Sequence, residues 1–208
     1  NHGLFLLANA YNCKFRDRMK LILGSKSPRR SELLNMAAIN FEIRVVDTDE
    51  SFPHSMHVYD APEYIAKQKA DAIQIANDEV LLTCDTVVII DKKIFGKPID
   101  ESDAINMLQQ LSGRKHEVVS GVCIRTLQNE ITFSELTEVY FHPLIDEQIK
   151  YYISHYKPFD KAGSYAIQEW IGAIGIQKIV GDYFNVMGLP ISRVVIELKK
   201  FGITISKQ

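Results

Sequence analysis

The chain has 208 residues, enough for one domain or two small lobes around a sizeable core. Its 46% hydrophobic and 24% charged content is that of a globular protein, and a net charge of -2 argues against a dedicated nucleic-acid binder, which is usually basic. Cys13, Cys84 and Cys123 form no even disulfide framework and have no metal spacing, so a reducing compartment is expected. No apolar run approaches membrane-spanning length, so no membrane partner is expected either.

Residues 3–10 are apolar with a small-residue end, but no basic residue precedes them, which makes a poor leader segment. Residues 1–18 therefore read as an N-terminal extension. Strong patterning begins at Lys20, with Met19 the expected start of a single domain over residues 19–208.

Leu21-Ile22-Leu23 reads as a buried strand that runs into Gly24 and two serines, Ser25 and Ser27, before Pro28 opens a helix with Leu33, Leu34 and Ala37 on its apolar face. Strand, tight turn and helix start together make an anion site, because unpaired N–H groups and the positive dipole end meet there. Arg29 and Arg30 in the first turn oppose that dipole, which points to a strongly negative occupant such as phosphate. On this stretch alone, a serine-capped helix with two solvated arginines reads equally well.

Residues 41–46 alternate as a second strand and end in the acidic cluster Asp47-Thr48-Asp49-Glu50. Pro62 opens a helix with Ile65, Ala66, Ala70, Ile73 and Ile75 inward and Lys67 and Lys69 upon it. Residues 80–90 are the most hydrophobic run, rich in β-branched side chains, and read as a central strand buried on both faces. Asp85 stands in its middle, where a carboxylate is costly unless paired, hydrogen-bonded or metal-bound. The run turns at Asp91-Lys92-Lys93 into Ile94-Phe95-Gly96-Lys97-Pro98, whose glycine and proline fix a loop around Lys97.

Ser102 is expected to cap a helix that runs to Leu111 and stops at Ser112-Gly113-Arg114. Residues 116–125 and 131–141 read as long strands joined at Gln128-Asn129, and Asp146 starts an amphipathic helix through Tyr156. A loop over 159–168 carries Gly163 and Gln168, whose amide can donate and accept at once, as the edge of a nucleobase requires. Residues 174–179 read as a strand, and Pro190 opens a last helix with Val194, Val195 and Leu198 inward. Arg114 and His116 read as structural, and Trp170 as packing or function alike. Strands and helices mix without strict alternation, which predicts an α/β protein with a mixed sheet.

Asp49, Glu50 and Asp85 offer oxygens suited to Mg²⁺ or Mn²⁺, which take one or two carboxylates with substrate phosphates. Judged alone, the Asp49-Glu50 pair is a solvated acidic turn. No serine or cysteine triad, Walker loop or dinucleotide glycine pattern stands out. The anion cradle, the cations and the carboxylates together suit phosphoryl chemistry by metal-assisted attack of water.

Eight segments in order resemble the Maf family of nucleoside triphosphate pyrophosphatases. They are Ser25-Lys26-Ser27-Pro28-Arg29-Arg30, Asp49-Glu50, Lys67-Gln68-Lys69-Ala70, Asp85-Thr86-Val87-Val88, Gly96-Lys97-Pro98, Leu111-Ser112-Gly113-Arg114 with His116, Asp160-Lys161-Ala162-Gly163, and Gly188-Leu189-Pro190. The resemblance implies a two-lobed fold around a central cleft, similar to inosine triphosphatases, and metal-dependent hydrolysis of a nucleoside triphosphate to the monophosphate and pyrophosphate. It implies a cytoplasmic protein, often a homodimer. By that resemblance Asp85 is the proton acceptor and a metal ligand, and Glu50 a catalytic or metal-binding acid. Lys69 and Lys97 are catalytic cations, while Ser25, Ser27, Arg29 and Arg30 bind the phosphates. Arg29, Thr86 and Gln168 match the specificity positions of the branch acting on dTTP and UTP, with modified pyrimidine nucleotides as further substrates. Four residues depart from the family pattern: Gly24, Cys84, Ala166 and Glu169. A rival reading is a nucleotide-binding regulator of septum formation with incidental turnover.

Overall fold

The computed structural model describes residues 19–205. The proposed extension over residues 1–18, with Cys13, lies outside the described residues. The chain folds in the order β1 (Lys20–Leu23), α1 (Pro28–Met36), β2 (Phe41–Ile43), α2 (Ala61–Ala72), β3 (Glu79–Ile90), β4 (Lys93–Phe95), α3 (Glu101–Leu111), β5 (Lys115–Arg125) and β6 (Glu130–Phe141). It continues through α4 (Asp146–Tyr156), a single 3₁₀ turn (Ala162–Ser164), α5 (Trp170–Gly175), β7 (Ile176–Val180), α6 (Tyr183–Met187) and α7 (Ile191–Lys200). The sheet has seven strands in the order β2-β1-β3-β5-β6-β7, with β4 paired to β3. Pairing is parallel from β2 through β1 to β3 and antiparallel elsewhere, so the fold is the expected α/β with a mixed sheet and flanking helices.

β3 is central and buried at every position but Thr86. Successive side chains point to opposite faces. Val80, Leu82 and Cys84 enter one core with Leu33, Leu34, Val194 and Leu198 from α1 and α7. Val88 and Ile90 enter a second core with Leu108, Leu111, Tyr152 and Ile153 from α3 and α4. These cores are the two lobes, and they part at Thr86. The opposite face packs on α2 through Leu81. On the β1 side of β3, the parallel ladder ends at Leu23–Leu82 and the β4 ladder begins at Val88–Phe95. The edge of β3 is thus open around Asp85 and Thr86, beyond the carboxyl ends of the parallel strands, where ligands of open α/β sheets bind.

Two contacts fix α2 against the sheet. Thr83 Oγ1 donates to the carbonyl oxygen of Ala66 at 2.6 Å. A Cβ at Gly121 in β5 would lie 2.1 Å from the backbone nitrogen of Glu63, so only glycine lets the first turn of α2 come this close.

Several expected boundaries shift. β2 ends at Ile43 because β1 ends opposite it, and the Arg44 guanidinium turns onto both carboxylate oxygens of Glu79 at 2.7 Å. α2 stops at Ala72, so Ile73 and Ile75 follow it in extended chain, where Ile73 still packs with Ala66 and Ala70. Asp100, not Ser102, caps α3, accepting from the N–H of Asp103 at 2.8 Å. The strand expected over 174–179 begins at Ile176, after the short α5; a brief apolar run does not distinguish the two states by periodicity. α6, where no element was expected, is held by Asn185, whose Nδ2 donates at 3.1 Å to the carbonyl oxygens of Val118 and Glu135 and to Thr137 Oγ1. No helix among the described residues is long and apolar enough to cross a membrane.

Candidate active site

A cavity of about 810 Å³ opens along the free edge of β3. It is lined by the turn Gly24–Arg30, by Glu50, Lys69, Asp85, Thr86, Lys97 and Gln168, and by Met187 and Gly188. The ten residues that the family resemblance assigns to the site, Ser25, Ser27, Arg29, Arg30, Glu50, Lys69, Asp85, Thr86, Lys97 and Gln168, therefore share one cleft.

Asp85 is 8% exposed and is paired as its burial demands. Lys69 Nζ lies 2.7 Å from Asp85 Oδ1 and 3.0 Å from Glu50 Oε1, so one ammonium joins two carboxylates from distant segments. Burial raises the Glu50 carboxyl, but the hydrogen bond and charge of Lys69, with Lys97 and Arg30 nearby, hold it below its usual value. Asp49 does not join them. Its carboxylate folds back onto its own turn, accepting from the Ser51 N–H at 3.0 Å and the Ser51 hydroxyl at 2.8 Å.

The wall opposite is the start of α1. No side chain caps that helix and its first turn holds no acidic residue, which leaves N–H groups turned toward the cleft. The Ser27 N–H is met by Ser25 Oγ at 3.2 Å. Arg30 is a clamp: Nε donates to the Gly188 carbonyl oxygen at 2.9 Å, Nη1 to Ser25 Oγ at 3.0 Å and Nη2 to Thr86 Oγ1 at 3.2 Å. Thr86 Oγ1 also meets Ser120 Oγ at 2.8 Å and the Gly188 carbonyl oxygen at 3.2 Å. Arg29 reaches across the cleft, with Nη1 2.9 Å from Asp160 Oδ2 and Nε 3.2 Å from the Met187 carbonyl oxygen.

The charges do not cancel evenly. Glu50 and Asp85 share Lys69, and Asp160 is shared by Arg29 and Lys161. Among the described residues no carboxylate lies within 4.0 Å of Arg30 or Lys97, which leaves two uncompensated cations in the cleft. An anion placed there gains charge-assisted hydrogen bonds without displacing a salt bridge.

Some contributors escaped the sequence reading. Asp160 and Lys161 were legible as a motif, but their hold on Arg29 spans more than a hundred residues and leaves no local signal. The Gly188 carbonyl oxygen, which also receives Cys84 Sγ at 3.5 Å, is backbone and has no side-chain signature. The Gly163 N–H donates to the Gly96 carbonyl oxygen at 3.0 Å, which ties the loop of Lys97 to that of Gln168. Arg114 and His116 are structural as expected: Arg114 pairs with Asp91, and His116 is buried against Tyr165. Trp170 packs on the Tyr151 ring.

The Maf-like protein family matches residues 20–201. The chain belongs to the Maf family. Relatives in that family include a dTTP/UTP pyrophosphatase of Phocaeicola vulgatus, 49% identical over 187 residues that cover 88% of this chain and 97% of the relative. The proteins of that name from Bacteroides fragilis and Porphyromonas gingivalis are 46% and 47% identical, covering 88% and 89% of this chain and 97% and 96% of theirs. Among solved structures, a Ham1 protein from Coxiella burnetii aligns at a TM-score of 0.44 and 14% identity over 88% of this chain and 99% of that one, too remote to bear on function.

Proposed function

We propose that this Maf-family chain hydrolyses nucleoside triphosphates, dTTP and UTP foremost, to the monophosphate and pyrophosphate. The observation that carries this reading is the convergence of Glu50 and Asp85 on Lys69, across a cleft from an uncapped helix start and two uncompensated cations. The names of the relatives support the reaction and its pyrimidine preference.

The triphosphate lies along the turn from Ser25 to Arg30. Backbone N–H groups of α1, Arg29, Arg30 and Lys97 hold its oxygens. Asp85 accepts a proton from water, whose oxygen bonds to the α-phosphorus as the bond to the bridging oxygen breaks. The electron pair leaves with pyrophosphate, whose charge Arg30 and Lys97 stabilise. Lys69 orients Asp85 through their 2.7 Å contact. Thr86 positions Arg30, and Gln168 reads the pyrimidine edge.

Glu50 and Asp85 each bring a hard carboxylate oxygen to the Lys69 ammonium, and among the described residues no third His, Cys, Asp or Glu converges with them. That donor set fits Mg²⁺ or Mn²⁺, which complete their shells with phosphate and water. When bound there, the cation neutralises phosphate charge and polarises the α-phosphorus. The family resemblance extends the proposal to a cytoplasmic homodimer.

The test is pyrophosphate release from a panel of nucleoside triphosphates with and without Mg²⁺ or Mn²⁺. Metal-dependent release strongest with dTTP and UTP is expected. Release confined to a purine nucleotide overturns the substrate, and tight binding with no release overturns the reaction.

A further inference from the structure

Behind the cleft, one chain of contacts runs from the core to the first turn of α1. It begins at Tyr152, fully buried in α4. Its hydroxyl accepts from the Ala166 N–H at 3.1 Å and donates to Glu169 Oε2. The two ends of the segment that carries Gln168 are therefore pinned to one core side chain. Glu169 Oε1 lies 3.5 Å from Nζ of Lys161, a residue only 8% exposed, whose other partner is Asp160 Oδ1 at 2.6 Å. Asp160 in turn holds Arg29. Burial raises Asp160, yet Lys161 and Arg29 together keep it below its usual value, so the pair with Arg29 stays charged.

We infer that Tyr152, Glu169 and Lys161 are positioning residues that fix the orientation of Gln168 and Arg29, and thereby set the discrimination between uracil-like and cytosine bases; this rests on the pyrophosphatase reading above. The chemical reason is the amide. Turned one way, a glutamine amide matches the carbonyl and N–H of uracil or thymine; turned the other way, it matches the amine and ring nitrogen of cytosine. The Gln168 amide can turn about its own bond and read either, so selectivity needs a fixed partner beside it, and Arg29, held by Asp160, has only N–H donors, which suit the uracil carbonyl and oppose the cytosine amine. Uracil and cytosine differ only in these groups, and a site that fixes its polar partners rejects the mismatched one.

The experiment measures kcat and KM with UTP and CTP for the parent chain, Glu169→Gln and Tyr152→Phe, with the thermal midpoint of each. Both variants are expected to lower the UTP-to-CTP ratio of kcat/KM by about fivefold or more, through a higher KM for UTP and with kcat nearly unchanged. Glu169→Gln keeps an acceptor for the Tyr152 hydroxyl and removes the negative charge that faces Lys161, so it carries the test should Tyr152→Phe fold poorly. A lowered midpoint with an unchanged ratio makes the chain merely structural and overturns the inference. No pyrophosphate from the parent with any nucleotide overturns the pyrophosphatase reading, and the inference falls with it.

Discussion

Lys69 and Asp85 are 2.7 Å apart, nitrogen to oxygen, although one stands on a helix and the other on the strand beneath it. The contact exists because Thr83 and Gly121 hold α2 directly against the sheet. Lys69 is the only cation within 4.0 Å of either Glu50 or Asp85 among the described residues.

Replacing Lys69 with Met therefore leaves the two carboxylates with no cation within 4.0 Å among the described residues. Pyrophosphate release is expected to fall by roughly two to three orders of magnitude, the scale of losing one electrostatic catalytic group. Circular dichroism should stay that of the parent, because the side chain sits at the cleft rather than in the core. Turnover within tenfold of the parent would show that the pairing is incidental.

The Thr86 hydroxyl has three nitrogen and oxygen partners. Its hydroxyl serves Arg30, Ser120 and the Gly188 carbonyl oxygen, and Ser120 is fully buried. Thr86→Val keeps the shape and strands these groups, at a cost of about 1–3 kcal/mol. Thr86→Ser keeps the hydroxyl and should remain near the parent. Urea unfolding of the three proteins decides this, and a Val variant as stable as the Ser variant would mean that the network carries no net energy.

Legibility followed locality. β3 could be read because a buried strand declares itself by an unbroken apolar run, and Asp85 because a carboxylate interrupts that run. The cradle at Ser25 to Arg30 was legible because helix starts have local grammar. Short elements were not: α5 and α6 span six and five residues, too few for a period to emerge, and tertiary contacts such as those of Asn185 decide them. Pairings across the chain, such as Arg29 with Asp160, depend on the fold closing and have no signature in either segment. Asp49 was grouped with Glu50 by adjacency alone, and a turn that satisfies its carboxylate locally removed it from the cleft.

Gly121 gives a prediction about how the helix of Lys69 is placed. An Ala Cβ there would lie 2.1 Å from Glu63 nitrogen and 2.2 Å from the Pro62 carbonyl carbon, so the backbone of α2 must move away. Gly121→Ala is expected to lose about 3 kcal/mol by overpacking, and to lose activity as Lys69 retreats from Asp85. Chemical unfolding and pyrophosphate release should fall together. A stable variant with full turnover would mean that α2 can shift without cost.

His116 supplies the pH dependence. It is 1% exposed, its Nε2 is 2.7 Å from the Tyr165 hydroxyl, and its Nδ1 has no partner among the described residues. The rings of Phe141 and Tyr165 stand edge-on around it, and burial pushes the imidazole down from 6.5 to about 3. The unfolded chain takes up this proton as the pH falls through 6.5, whereas the folded chain does not until about 3. Between those values the unfolded state binds more protons, so acid destabilises the fold by about 1.4 kcal/mol for each pH unit from this group alone. His116→Gln, which still offers Tyr165 a hydrogen-bond partner, removes that slope. Unfolding free energies of parent and variant, measured from pH 7 to pH 4, should draw together or cross as the pH falls. Parallel curves would mean that the folded protein takes up the proton as readily as the unfolded one does.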